Sequence, residues 1–161
     1  MATASVLLPI PPSGADPTNP PGMRFEDHRW ELLFDDSTDE LCYWTFRLPQ
    51  SYASAPVLKV QHKATTATTG DVGFDASIMA VTPGDAADVD TPSFDTDNVS
   101  AGNTTPGTAG YLDETSITLT NADSMAAGDL VTIRLNRNTA VASDLTGDVE
   151  VVAVALEFTV T

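Results

Sequence analysis

The sequence has one cysteine, two histidines, seven basic side chains and no long apolar run, and each shortage removes a class of function. With Cys42 alone, no disulfide can close within the chain and no thiolate metal cluster can form, so packing has to hold the fold. Cys42 itself lies in an alternating apolar stretch, the setting of a buried, inert thiol rather than of a nucleophile. With only His28 and His62 as imidazole bases and no G-x-S-x-G elbow, a hydrolytic triad has little to be built from. There is no H-E-x-x-H pair to hold zinc, and the glycines at 70, 73, 84, 102, 107 and 110 fit no phosphate-cradling loop. The expectation is therefore a protein with no catalytic residues, no cofactor and no metal.

The longest apolar candidate, Val149 to Phe158, is broken by Glu150 and Glu157 and falls far short of a membrane span, so no membrane partner is expected. Met1 to Ile10 lacks a basic n-region, and Val6-Leu7-Leu8 runs directly into Pro9. The N-terminus reads as mature sequence rather than as a secretory signal. Seven basic side chains stand against 23 acidic ones, a net charge of −16, and that field repels a phosphate backbone. Nucleic acid is not the expected partner. Acidity of this kind keeps a protein soluble, and it also attracts basic surfaces or cations.

What the chain does have is 161 residues, 42% of them hydrophobic, enough for one domain with a real core. The first 22 residues carry Pro9, Pro11, Pro12, Pro17, Pro20 and Pro21, which remove donors and fix φ. This stretch reads as an arm, neither a helix nor a central strand. Its aliphatic residues Val6, Leu7, Leu8 and Ile10, with Asp16 its only formal charge, suit it to lying on another protein. The division is thus a proline-rich arm over 1–22 and a folded domain over 23–161.

From Met23 onward the apolar period is two. A strand opening at Phe25 ends at Trp30-Glu31-Leu32-Leu33-Phe34, and the acidic run Asp35 to Glu40 turns the chain. Leu41 to Leu48 puts Cys42, Trp44, Phe46 and Leu48 on one face; Val57 to Ala64 does the same with Leu58, Val60, His62 and Ala64. Asp71 to Thr82 follows, then a long polar stretch from Pro83 to Gly110 with one short strand near Asn98, then Thr115 to Thr120 and Leu130 to Asn136. Val149 to Thr161 places Val152, Val154, Leu156, Phe158 and Val160 on one face and Val151, Ala153 and Ala155 on the other. A strand apolar on both sides belongs inside a sheet or against a neighbouring subunit. About seven or eight strands without a helix predict an all-β, antiparallel two-sheet sandwich of jelly-roll type.

The run Phe34-Asp35-Asp36-Ser37-Thr38-Asp39-Glu40 leading into Tyr43-Trp44-Thr45-Phe46-Arg47-Leu48-Pro49 resembles a β-sandwich module of tailed-bacteriophage virion proteins. Ile117 to Ser124 with Gly128 to Thr132, and Ser143-Asp144 through Gly147-Asp148 into the last strand, are similar to the same module. The resemblance spans most of residues 30 to 161 and implies a virion structural protein, of the kind found in capsid decoration proteins and in fibre or tail proteins. It carries no active-site residues. On that footing the expected role is a capsid decoration or cement protein on the outer surface of the head, bound to the major capsid protein as a homo-oligomer, a trimer being favoured, with the arm as tether.

Two further readings stay open. The acidic run Asp85, Asp88, Asp90, Asp95 and Asp97 offers hard oxygen ligands for calcium, but it lacks the register of an EF-hand loop. Exposed aromatics on a sandwich can stack on sugar rings, and Trp30, Tyr52 and Tyr111 are the candidates for a glycan site of a host-adhesion module, Trp44 being assigned to the core.

Overall fold

The structure, a computed structural model, describes residues 1–91 and 93–161. Its strands in chain order are β1 (Thr3–Leu8), β2 (Gly14–Ala15), β3 (Gly22–Glu26), β4 (Arg29–Phe34), β5 (Leu41–Arg47), β6 (Tyr52–Ala64), β7 (Asp71–Val72), β8 (Phe74–Val81), β9 (Asn98–Val99), β10 (Asn103–Thr104), β11 (Asp113–Thr118), β12 (Leu130–Arg137) and β13 (Val149–Val160). One sheet runs β11-β6-β13-β4-β3 and carries β1 on β13; the other runs β2-β5-β12-β8-β9; β7 and β10 form a small ribbon. Every ladder between these strands is antiparallel. The chain is an all-β sandwich, as its alternation predicts.

The period-two residues make the core. Cys42, Trp44 and Leu48 from the β5 segment meet Val131, Ile133 and Leu135 of β12 and Phe74, Ala76 and Ile78 of β8. Across the interior lie Leu58 and Val60 of β6, Leu32 and Phe34 of β4, and Leu156 and Phe158 of β13. Phe34 and Phe74 close the centre edge to face, ring centroids 5.9 Å apart.

Two irregularities alter which side chains point inward. On β13 the register to β6 slips between Val151 and Ala153, leaving Val152 as an extra residue. The bulge reverses the parity, so Val149 and Val151 join Val154, Leu156 and Phe158 in the core and Val152 leaves it. This corrects the assignment of Val151 and Val152 to opposite faces from those observed. On β6, Ala55 has φ 55° and residues 55 and 56 stand against the single Phe158, a bulge that lets Pro56 sit within a strand. β3 and β4 join through a two-residue turn, Asp27-His28, both at positive φ (49° and 68°), the geometry that matches strand twist in tight hairpins.

The largest departure is the expected free arm. Residues 3 to 8 are a strand of the sandwich, paired from Thr3↔Thr159 to Leu8↔Val154. The six prolines all follow this proline-free stretch, so they do not interrupt its ladder. Ala4, Val6 and Leu8 alternate inward, with Leu8 buried and Val6 half-buried, while Leu7 points out at 77% exposure. Beyond Leu8 the chain crosses to the second sheet. Gly14 and Ala15 pair with Tyr43 and Cys42, the Thr45 amide donates to Ser13 Oγ, and the Asp16 amide donates to the Leu41 carbonyl. Residues 1–22 therefore tie the two sheets together, and the arm is not separate from the 23–161 domain.

Candidate functional site

Two surfaces of the larger sheet stand out, and both are built around the β3–β4 hairpin. The first is its core-facing side. Leu32 and Phe34 point inward, so Trp30 shares their face, and the pairs Met23↔Leu32 and Phe25↔Trp30 bring Met23 and Phe25 to it as well. Exposure on this face climbs from buried Leu32 to 41% at Trp30 along β4, and on the edge strand β3 it is 51% at Met23 and 61% at Phe25. Phe25 and Trp30 pack edge to face at 5.4 Å. Beside them lies a depression of about 240 Å³ walled by Pro11, Pro12, Pro20, Pro21, Met23 and Leu32.

The second surface is the outward side of the same sheet. Here the pairs Arg24↔Glu31 and Glu26↔Arg29 of the hairpin face Lys63 and Glu150, which are themselves register partners. Arg24 reaches Glu26 at 2.7 Å, Glu31 at 3.0 Å and Glu150 at 2.5 Å. Arg29 lies 2.9 Å from Glu31, and Lys63 lies 2.5 Å from Glu150 and 3.4 Å from Glu31. Glu31 and Glu150 are buried under these cations although they sit on an outer face. Burial alone raises the Glu31 carboxyl, but the Arg24 hydrogen bond and the Lys63 charge outweigh it and hold the group below the usual carboxylate range. Burial likewise works against the Lys63 ammonium, and its contacts with Glu150 and Glu31 more than offset it, raising its affinity for the proton.

Next to this ion cluster the surface drops into a trough. Arg29, Gln61, Lys63, Gly110, Leu112, Val152 and Ala153 line a depression of about 370 Å³. A second of about 140 Å³ adjoins it, sharing Gln61 and Ala153 and extending along Ala155 to Leu7, Lys59, Glu114 and Glu157. The cause is local. Ala153 and Ala155 are the small residues of β13's outer face, standing opposite the long side chains of Gln61 and Lys59. On the far flank, β4 pairs β13 only at 149–151 and β1 only at 154–159, so among the described residues no strand lies beside Val152 and Ala153 there. Gln61 Nε2 donates to Glu114 at 3.1 Å, and Lys59 Nζ lies 2.8 Å from Ser116 Oγ and 3.3 Å from Glu114.

The structure does not gather the expected glycan aromatics into one site. Trp30 is exposed on the hairpin and Tyr111 on the loop before β11, but Tyr52 is buried against Phe158, ring centroids 5.3 Å apart. Tyr52 opens β6 opposite Val160, the last residue of β13, with its ring in the core, so it is corrected from a contact to a packing residue. Of the apolar partner residues, Leu7 alone is free; Val6, Leu8 and Ile10 belong to or pack on the core. Trp44 is buried, as its alternation predicts.

The candidates for acid–base or nucleophilic chemistry are inaccessible or isolated. His62 is buried beside Thr115 Oγ1 at 2.9 Å and against the Phe74 ring, and burial lowers its pKa to about 4. Burial pushes the Cys42 thiol well above its usual range. His28 occupies the exposed hairpin turn. In the acidic 85–97 stretch, Asp88 and Asp95 hold neighbouring amides and Asp97 binds Ser77 and Arg134, so these carboxylates are spent on local structure rather than converged on one point. Asp35, Asp36 and Asp148 do approach one another, but Asp35 accepts from the Ser37 amide and Asp36 from the Gly147 amide.

Sequence reasoning missed the ion cluster and the trough. Glu150, set among valines in an apolar strand, was the available signal, since a carboxylate there needs a cation and the chain has only seven.

No known protein family matches the chain, and no curated protein matches it either. Among solved structures it is similar to a carbohydrate binding module (CBM6cm-2) from Cellvibrio mixtus lichenase 5A, determined with cellotriose: 9% identity, 99% of both chains covered, TM-score 0.45. It is similar to a chain of infectious bursal disease virus, Gx strain, at 8% identity over 98% of this chain and 32% of that one, TM-score 0.42. A CBM4 structure covers 88% of this chain and 77% of its own, with 11% identity and a TM-score of 0.32. These likenesses concern the sandwich architecture alone.

Proposed function

We propose that this chain is a non-enzymatic structural module of a phage virion, a capsid decoration protein that docks on the major capsid protein at the outer surface of the head. The observation that carries this reading is the exposed apolar face of the β3–β4 hairpin. Met23, Phe25 and Trp30 form a contiguous uncovered patch on a chain whose net charge otherwise keeps other surfaces apart. Aromatic and methionine side chains on a rigid hairpin are the residue types that anchor protein contacts. The proline-walled depression beside them offers a receptor for a partner's apolar side chain. Attachment thus runs through the hairpin and not through a loose arm, and the module assembles as a homo-oligomer, with a trimer the expected state.

The test mixes the protein with heads stripped of the native component and measures what sediments with them. Wild type is expected to co-sediment. The double variant Phe25→Ser/Trp30→Ser, altered only at exposed positions, is expected to lose about tenfold or more in affinity while melting near the wild-type temperature. A wild-type protein that stays in the supernatant, or a variant that binds as well as wild type, refutes the reading.

A further inference from the structure

We propose that the trough on the outward side of the larger sheet, floored by Ala153 and Ala155 and ringed by Arg29, Gln61, Lys63 and Leu112, binds an uncharged oligosaccharide. The site lies on the opposite face of the sheet from the hairpin's apolar patch, and the inference does not depend on where the module docks.

Shape comes first. The two depressions share Gln61 and Ala153, so together they lie end to end as a channel on the outer face from Leu112 and Arg29 to Leu7 and Glu157. Such a channel admits an extended chain of linked rings and gives a compact metabolite nothing to enclose it.

Charge decides the ligand class. Four of the chain's seven basic side chains, Arg24, Arg29, Lys59 and Lys63, stand on this face, and they are matched by Glu26, Glu31, Glu114 and Glu150, with Glu157 at the rim. A phosphate or sulfate would gain the cations but meet the carboxylates, and a polycation would meet the reverse. A neutral polyol meets neither penalty, because each hydroxyl both donates and accepts.

The polar groups are also held in place. Arg29 is pinned by buried Glu31, and Lys63 by Glu150 and Glu31, so little rotamer freedom remains to be lost on binding. Among the described residues, neither β4 nor β1 pairs with β13 at Val152 and Ala153, so the channel floor is open between the ends of those two strands. The aliphatic surfaces of Ala153, Ala155, Leu112 and Leu7 suit the C–H faces of pyranose rings. A peptide would instead seek an uncovered strand edge of full length, whereas here the opening spans two residues.

The experiment presents the full-length protein to an array of neutral oligosaccharides built from glucose, galactose, mannose and N-acetylglucosamine, with sulfated and sialylated counterparts alongside, and follows hits by titration calorimetry. Binding to at least one neutral chain is expected, weakened about tenfold or more by Ala153→Arg, which fills the channel, and by Gln61→Ala, which removes its central amide. Both variants are expected to melt like wild type and to co-sediment with heads like wild type, because the altered side chains face away from the docking patch. Silence across the neutral array, preference for charged glycans, or binding that survives Ala153→Arg in a folded protein overturns the proposal. Loss of head binding with glycan binding intact, as expected for Phe25→Ser/Trp30→Ser, leaves the two sites separately testable.

Discussion

The indole nitrogen of Trp44 donates a 2.7 Å hydrogen bond to the carbonyl oxygen of Pro9, joining a buried residue of β5 to the segment that links the two sheets. This bond satisfies the one polar atom of the largest core side chain, and it fixes the point where the chain leaves β1. Trp44→Ala removes both ring and bond and should cost about 3–5 kcal/mol. Trp44→Phe keeps most of the packing and should cost about 1–2 kcal/mol, the loss of one buried hydrogen bond. Deleting residues 1–22 should lower the melting temperature substantially, since it strips buried Leu8 and a six-residue ladder from β13. Chemical denaturation of the three proteins checks the order, and a deletion that melts like wild type contradicts the pairing of β1.

Why β1 was not legible as a strand is instructive. Composition over a 22-residue window is dominated by six prolines, but every one of them lies beyond Leu8, and Ala4, Val6 and Leu8 already show a period of two. The alternation of β5, β6 and β12 was legible because each of these strands has one face in the core and no irregularity over the alternating stretch. On β13 the reading failed at Val152, because a single inserted residue reverses parity and leaves no local mark in the sequence. The trough was further out of reach: Arg29, Gln61, Leu112 and Ala153 come together only through the register of β4, β6, β11 and β13, and no spacing along the chain encodes that register. A search for exposed Trp and Tyr does not lead to a depression floored by alanines.

The buried carboxylates of the outer face predict a second result. Glu150 contacts Lys63 and Arg24 and is almost wholly removed from water, so Glu150→Gln leaves both cations short of a partner. Breaking one side of such a pair should destabilise by about 3 kcal/mol. Removing both charges of the pair, in Lys63→Met/Glu150→Leu, should cost less than the sum of the single variants. A double-mutant cycle by denaturant titration checks this, and strict additivity would show the two groups to be uncoupled.

Two glycines at positive φ separate backbone strain from steric overlap. Gly84 (φ 97°) has open space where a Cβ would stand, whereas at Gly70 (φ 104°) that atom would lie 2.7 Å from the Leu145 backbone. Gly84→Ala should therefore cost only the left-handed backbone penalty, about 1–2 kcal/mol. Gly70→Ala should cost clearly more, because the 143–145 segment, which Asp71 bonds through both its amide and its carbonyl, must shift. Equal melting temperatures for the two variants would contradict this packing.

His62 gives the pH dependence its sign. Its ring is buried against Phe74 with Thr115 as hydrogen-bond partner, and burial lowers its pKa to about 4 from 6.5; the Asp113 carboxylate pulls the other way, while the Arg137 guanidinium adds to the lowering. The unfolded chain then holds more protons than the folded one between about pH 4 and 6.5, so stability rises with pH across that window. The contribution is complete above about 6.5, is lost as the pH falls toward 4, and changes no further below that, where both forms are protonated. A shift of this size corresponds to something on the order of 3 kcal/mol. Replacing the ring by an amide in His62→Gln keeps a hydrogen-bonding group near Thr115 and removes the titration. Melting temperatures of both proteins should be recorded from pH 4 to 7. The carboxylates titrate in both, so the difference between the two curves isolates the imidazole. That difference should shrink as the pH falls, because wild type loses an advantage that the variant never had. Parallel curves would mean that His62 is not held neutral in the core, and the packing around Phe74 would have to be redrawn.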